Sequence, residues 1–189
     1  MTAKTSGDAD APRETHDQKS GATVWSPEKP LLFAHERNEL TPNMRDAPSG
    51  RGAPSLRDYV SIVGVRVDRV GKLDYLLIAH IWSTFDQRLD PGQPPVDSVE
   101  LRADGRSIFL DPSGGTPADF GIMQPVGTPK GRTVKSLVYR TDLATLGRVA
   151  AAQDLAVLVH SRNAEPHYKL WDDQRQALNN LVRSFGAEP

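Results

Sequence analysis

Two β-branched runs joined through a short glycine-containing turn constrain this chain more than any other feature. Tyr59-Val-Ser-Ile-Val-Gly-Val-Arg-Val67 and Leu73-Asp-Tyr-Leu-Leu-Ile-Ala-His-Ile-Trp82 flank Arg69-Val-Gly-Lys72. Branched and aromatic side chains favour the pleated backbone, and a glycine in the connection permits a tight reversal, so the pair reads as a β-hairpin. Both runs are almost continuously apolar where a half-wet strand would alternate. They are therefore expected to be covered on both faces near their middles.

Downstream, Val99-Glu-Leu-Arg-Ala103 and Arg106-Ser-Ile-Phe-Leu110 flank Asp104-Gly105. Asp-Gly suits a two-residue turn with positive φ at both centres, which predicts a second hairpin. Val134–Arg140 reads as a strand, and Asp142 is placed to cap a short helix over Leu143–Ala152. Leu155–His160 and His167–Trp171 read as a third hairpin. Asp172 or Asp173 then begins an amphipathic helix with Ala177, Leu178, Leu181, Val182 and Phe185 on one side and Gly186 as its stop. The order contains no strand–helix alternation. It predicts an α+β, mainly β fold: an antiparallel β-sandwich or strongly curved sheet of about seven strands, with a short helix and a C-terminal helix.

The first third of the chain contrasts with this. Apolar residues are 38% of the 189, and there are fifteen prolines. Between Met1 and Ser55 neither the strand nor the helix period persists, which predicts a disordered or extended N-terminal tail over 1–55 and a single β-rich domain over 56–189. One island interrupts the polar segment, Trp25-Ser-Pro-Glu-Lys-Pro-Leu31-Leu32-Phe33. It is expected either to pair with an edge strand or cover an exposed patch of its own domain, or to act as a linear motif for a protein partner through Trp25, Leu31, Leu32 and Phe33.

Composition narrows the function classes. There is no cysteine, which excludes disulfides, thiolate metal sites and a cysteine nucleophile. The formal net charge of −1 argues against nucleic acid, for which only Arg102, Arg106, Lys130 and Arg132 offer a basic stripe. Residues 1–23 hold no apolar run of signal-peptide type and no stretch is long enough to span a bilayer, so a soluble, cytoplasmic protein is expected.

No catalytic signature stands out. His80, His160 and His167 show no HxH or HExxH spacing, no G-x-S-x-G elbow occurs, and the order of the strands would decide whether the histidines converge. The loop Asp111–Thr133 is glycine- and proline-rich and long enough to be functional. Its segment Gly127–Thr133 carries Lys130 and Arg132 but lacks the spacing of a phosphate-binding loop. On the second strand, His80 and Trp82 project to one side and are followed by Arg88, while Tyr168 and Trp171 come from the last strand. These five residues form the candidate ligand-binding set. The leading expectation is a non-catalytic binding or accessory module that holds a protein partner, without metal or cofactor. The alternative is a small enzyme or small-molecule-binding protein with a pocket near His80, Trp82 and Arg88.

Overall fold

The computed structural model describes residues 11–37, 56–84, 96–130, 134–161 and 165–186. The first hairpin is its spine: β4 (Leu56–Arg69) and β5 (Lys72–Ser83) pair antiparallel over nearly their whole length, from Asp58↔Ser83 to Arg69↔Lys72. Val70 and Gly71 turn the chain with φ of 47° and 80°. The second hairpin joins β6 (Val96–Ala103) to β7 (Arg106–Ile108) through Asp104 and Gly105, both also at positive φ.

After the two-residue β8 (Asp111–Pro112) and a 3-10 turn at Pro117–Phe120 come β9 (Lys135–Thr141), α1 (Leu143–Ala151), β10 (Leu155–Ser161), β11 (His167–Asp172) and α2 (Arg175–Gly186). The Asp142 carboxylate accepts the Thr145 amide at 2.6 Å, satisfying one of the free N–H groups at the start of α1. Asp173 accepts the Arg175 amide at the start of α2. The fold is α+β and mainly β, an antiparallel, strongly curved sheet that does not close into a barrel, with the expected short and C-terminal helices.

The described residues form eleven strands, four more than the hydropathy pattern predicts. Three of the four come from the segment expected to be a tail: β1 (Arg13–Asp17), β2 (Ala22–Ser26) and β3 (Leu31–Arg37). The division expected at Leu56 therefore does not separate the sheet from what precedes it. The strand path is β7-β6-β10-β11-β3-β4-β5-β9-β8, and β3 lies in its interior, paired with β11 on one edge and β4 on the other. The β1–β2 hairpin takes the rest of that edge of β4, with Ala22↔Arg69 through Trp25↔Arg66 in register. Residues 1–10 and 38–55 lie outside the described residues.

Pairing on two edges and the burial of Leu31 and Phe33, at 2% and 0% exposure, hold β3 in place. Each such side chain contributes about 1.5–3 kcal/mol relative to exposure. The Leu31–Phe33 part of the island thus packs within its own domain, but as part of an interior strand instead of pairing at an edge or covering a patch.

The two faces of the spine are covered differently. Inward point Val60, Ile62, Leu77, Ala79 and Tyr139, packed with Phe33, Val157 and the apolar sides of the two helices. At Gly64 the helices come so close that an added Cβ would lie 2.7 Å from Leu178 Cδ1 and 3.1 Å from Leu146 Cδ2. The inward curl brings β9 across to β6, where the buried Tyr139 hydroxyl accepts the Val99 amide at 2.8 Å. Outward point Val63, Val65, Val67, Leu76, Ile78 and Val138, flanked by Ala22 and Val24 of the adjoining β2 and covered by Phe120 and Ile122. Neither helix is long and apolar enough to cross a membrane.

Candidate functional site

Alternation along the strands decides where each candidate residue goes. Trp82 and His80 share the outer face of β5, and the paired residues Tyr59 and Ser61 share the outer face of β4. The Tyr59 and Trp82 rings stack at 5.5 Å between centroids and 17° between planes. Two residues earlier on β4, the Arg57 guanidinium lies 4.6 Å over the Trp171 ring, reaching across β3 to β11. Glu36 fixes that guanidinium through Nε and Nη2, at 3.1 and 2.8 Å. This carboxylate, followed by Tyr59, raises the Arg57 pKa above its usual value.

The result is a row Trp171–Arg57–Tyr59–Trp82 across four adjacent strands, about 14 Å wide at the usual strand spacing. Trp171 is 56% exposed, while Arg57, Tyr59 and Trp82 are half-buried. Of the five expected ligand-binding residues, Trp82 and Trp171 are therefore on one surface.

Tyr168 is not with them. Three residues from Trp171, it points to the inner face, where it is buried and its ring tilts against His35 at 5.4 Å. Arg88 lies outside the described residues. His80 is on the outer face but covered: its Nε2 is 2.8 Å from the Val126 carbonyl and its Nδ1 is 2.8 Å from Ser136 Oγ. A carbonyl only accepts, so Nε2 carries the proton and Nδ1 accepts from the serine in a neutral ring. Burial lowers the His80 pKa, which keeps it in that state. Its role is to pin the loop after the 3-10 turn to the sheet.

The motif residues of the island serve the chain's own packing. Leu31 and Phe33 are core residues, so a partner would reach them only by unzipping β3. Leu32 is half-buried on the outer face. Trp25 meets Phe185 of α2 edge to face at 5.5 Å, with the Arg66 guanidinium 4.9 Å over the first ring and 3.9 Å over the second. The rings also enclose Arg66 Nε, which is buried without a hydrogen-bond partner.

The histidines do not converge. His80 on β5 and His160 on β10 are four strands apart, and the His167 carbonyl is engaged by His35. No group of three or more histidines and carboxylates able to hold a metal occurs among the described residues. His160 stands in a different cluster that was not foreseen. Its Nε2 is 3.2 Å from Glu100 and its Nδ1 is 3.2 Å from Glu165.

Glu100 also accepts Ser107 Oγ at 2.6 Å and Arg102 Nε at 2.9 Å. Those hydrogen bonds, Ser107 first, lower the Glu100 pKa to about 2. The cluster has the residue types of a hydrolytic triad in the wrong order. The serine donates to the carboxylate instead of to the imidazole, and a carboxylate with so low a pKa is a poor general base. Arg102 of the basic stripe is paired with Glu100 here, and Arg132 lies outside the described residues.

A cavity of about 370 Å³ lies on the outer face beyond His80, between the β1–β2 hairpin and residues 122–127. The arch is anchored at both ends. Ser20 Oγ donates to the Gly121 carbonyl at 3.0 Å, and His80 holds Val126. Gly127 follows with φ of 62°, and an added Cβ there would lie 3.3 Å from Val63. The only sequence hint of this roof was the glycine- and proline-rich composition of the 111–133 loop, which says nothing of where it docks. No family model, curated protein or solved structure matches this chain.

Proposed function

We propose that the chain is a non-catalytic binding module that engages a protein partner through the Trp171–Arg57–Tyr59–Trp82 ledge. The observation that carries this reading is the alignment of three large aromatic side chains and a guanidinium on one face of the sheet, with Trp171 exposed and the other three half-buried among the described residues. Tryptophan, tyrosine and arginine are the side chains that most often dominate binding energy at protein interfaces, because each buries a large area with few torsions to freeze. Here the torsions are already restrained, by the Tyr59–Trp82 stack and by Glu36 on Arg57. The arrangement of Ser107, Glu100 and His160 supports binding over catalysis. Leu31 and Phe33 have no part in the contact, since the core holds them.

The test is chemical cross-linking in cells of the native host, read by mass spectrometry, with wild type and a Trp82→Ala/Trp171→Ala double variant shown by circular dichroism to be folded. Lys169, exposed on the ledge side of β11, is the reporter. Truncating each aromatic anchor costs about 2 kcal/mol or more of binding, some thirtyfold in affinity. The expected result is a cross-link from Lys169 to one partner protein that the double variant loses. Equal cross-linking by both proteins, or links only to another copy of this chain, overturns the proposal.

A further inference from the structure

The cavity under the 122–127 arch lies apart from the ledge, and its charge layout points to a ligand of its own. Alternation puts Arg13, Thr15 and Asp17 of β1 on the same face of the hairpin as Val24 and Ser26 of β2, and all five line the space. Arg13 and Asp17 are four residues apart on one strand, about 13 Å between Cα atoms. The cavity thus has a positive end and a negative end.

The negative end is fixed. Asp17 is 8% exposed and accepts the Lys19 and Ser20 amides on Oδ1 at 2.9 and 3.0 Å. The Ser20 amide, the largest influence, lowers the Asp17 pKa and keeps the carboxylate charged at neutral pH. No hydrogen bond or ion pair of the Arg13 guanidinium is found among the described residues. Glu28 also lines the cavity, two residues beyond the Ser26 that faces Arg13. Its negative charge partly offsets Arg13 at that end, which leaves room for at most one ligand carboxylate and opposes a phosphate dianion.

Between the charged ends the wall is apolar, formed by Val24, Ile122 and Val126, with the Gln124 amide and the Thr15 hydroxyl available to a peptide group. A volume of about 370 Å³ corresponds to about a dozen waters at roughly 30 Å³ each, the size of a small amphipathic molecule.

We propose that this cavity binds a zwitterion of the amino-acid or dipeptide class, with its carboxylate on Arg13, its ammonium towards Asp17 and its apolar side chain against Val24 and Ile122. The arch forms the roof, and its anchors at Gly121 and Val126 mean that the site exists before the ligand arrives.

The experiment is an NMR titration of the full chain, following the methyl groups of Val24, Ile122 and Met123. The probes are leucyl-alanine, its N-acetylated and C-amidated form, and inorganic phosphate. Leucyl-alanine is expected to shift these methyls saturably with a Kd below about 1 mM. The blocked dipeptide, which lacks both end charges, and phosphate, which has no ammonium and carries a second negative charge, are each expected to bind at least about tenfold more weakly. Arg13→Gln should weaken leucyl-alanine about tenfold while leaving the unliganded spectrum elsewhere unchanged, and Thr15→Trp, which fills the space, should abolish the shifts. Absence of saturable shifts with every probe, equal affinity for the free and blocked dipeptides, or an Arg13→Gln variant that binds as wild type overturns the assignment. None of these outcomes depends on the ledge.

Discussion

The inner and outer faces of the β4–β5 spine bury similar side chains by opposite means. The inner face is covered by two helices packed against each other, whose amphipathic patterns meet the sheet at Gly64. The outer face is covered by one 3-10 turn and an arch of irregular chain, held to the sheet and its β1–β2 hairpin by a few polar contacts: Ser20 to Gly121, His80 to Val126, and Arg69 to the Asp119 carbonyl. Regular elements satisfy their own backbone hydrogen bonds and can pack densely, whereas an irregular cover must be tied down by side chains and leaves space between its ties. Both the cavity and the ledge belong to the outer face. One lies under the loose cover, and the other lies beyond the part of the cover formed by the described residues.

If the inner face is the densely packed one, overfilling it should be the most damaging single change. Gly64→Ala asks only that the ends of Leu178 and Leu146 rotate, and should cost less than about 1 kcal/mol. Gly64→Val sends two further carbons among leucines that are 1–2% exposed, and should cost about 2–3 kcal/mol. Urea denaturation monitored by circular dichroism checks both. A valine as harmless as alanine would mean that the helices are not tightly docked.

Next in size is Tyr139→Phe. It leaves the ring in place but removes the acceptor of the buried Val99 amide, and an orphaned buried donor costs about 1–3 kcal/mol. Because that bond joins β9 to β6 across the curl, hydrogen exchange should quicken at Val99 and Leu101 more than at Leu77. Uniform loss of protection would show that the bond does not hold the curl.

The same contrast explains what could be read from the amino-acid order. The spine hairpin, the Asp104-Gly105 turn, the Asp142 cap and the last helix depend on neighbours within a few residues, so their signals are local. Strand β1 reads Arg-Glu-Thr-His-Asp, with no apolar period, and exists because β2 offers its edge. Strand β3 carries Leu31 and Phe33, but what makes it an interior strand is register with Ile62 and Val60, some thirty residues on.

The site was legible to the same degree. Alternation places Trp82 on one face with Tyr59, and it also separates Tyr168 from Trp171, an odd number of residues apart, although residue type alone had grouped them. The cavity and the Ser107–Glu100–His160 cluster come from contacts between distant segments and left no local trace.

The smallest effect, and the one most specific to the outer cover, is its response to acid. His80 donates to the Val126 carbonyl from Nε2 and accepts from Ser136 on Nδ1, so a protonated ring would lose the serine bond and place a charge where burial already disfavours one. Its folded pKa lies below the ordinary 6.5. The stability contributed by the neutral ring is therefore fully present above about pH 6.5 and is lost as the pH falls from there towards the folded value, because the unfolded chain takes up a proton that the folded one refuses.

Lowering the pH from 7.5 to 5.5 should lower stability through His80 by at most about 1.4 kcal/mol, the worth of the one pH unit below 6.5 that the interval covers. If the arch opens on its own, amide protection should fall at Ile122, whose N–H is held by the Pro117 carbonyl, while Leu77 and Ala79 keep theirs. His80→Gln can still donate to Val126 and has no proton to gain, so its arch should show a flat pH profile. A wild-type arch as indifferent to pH as the helix-covered face would show that His80 does not hold it, and the difference between the two covers would then lie in packing alone.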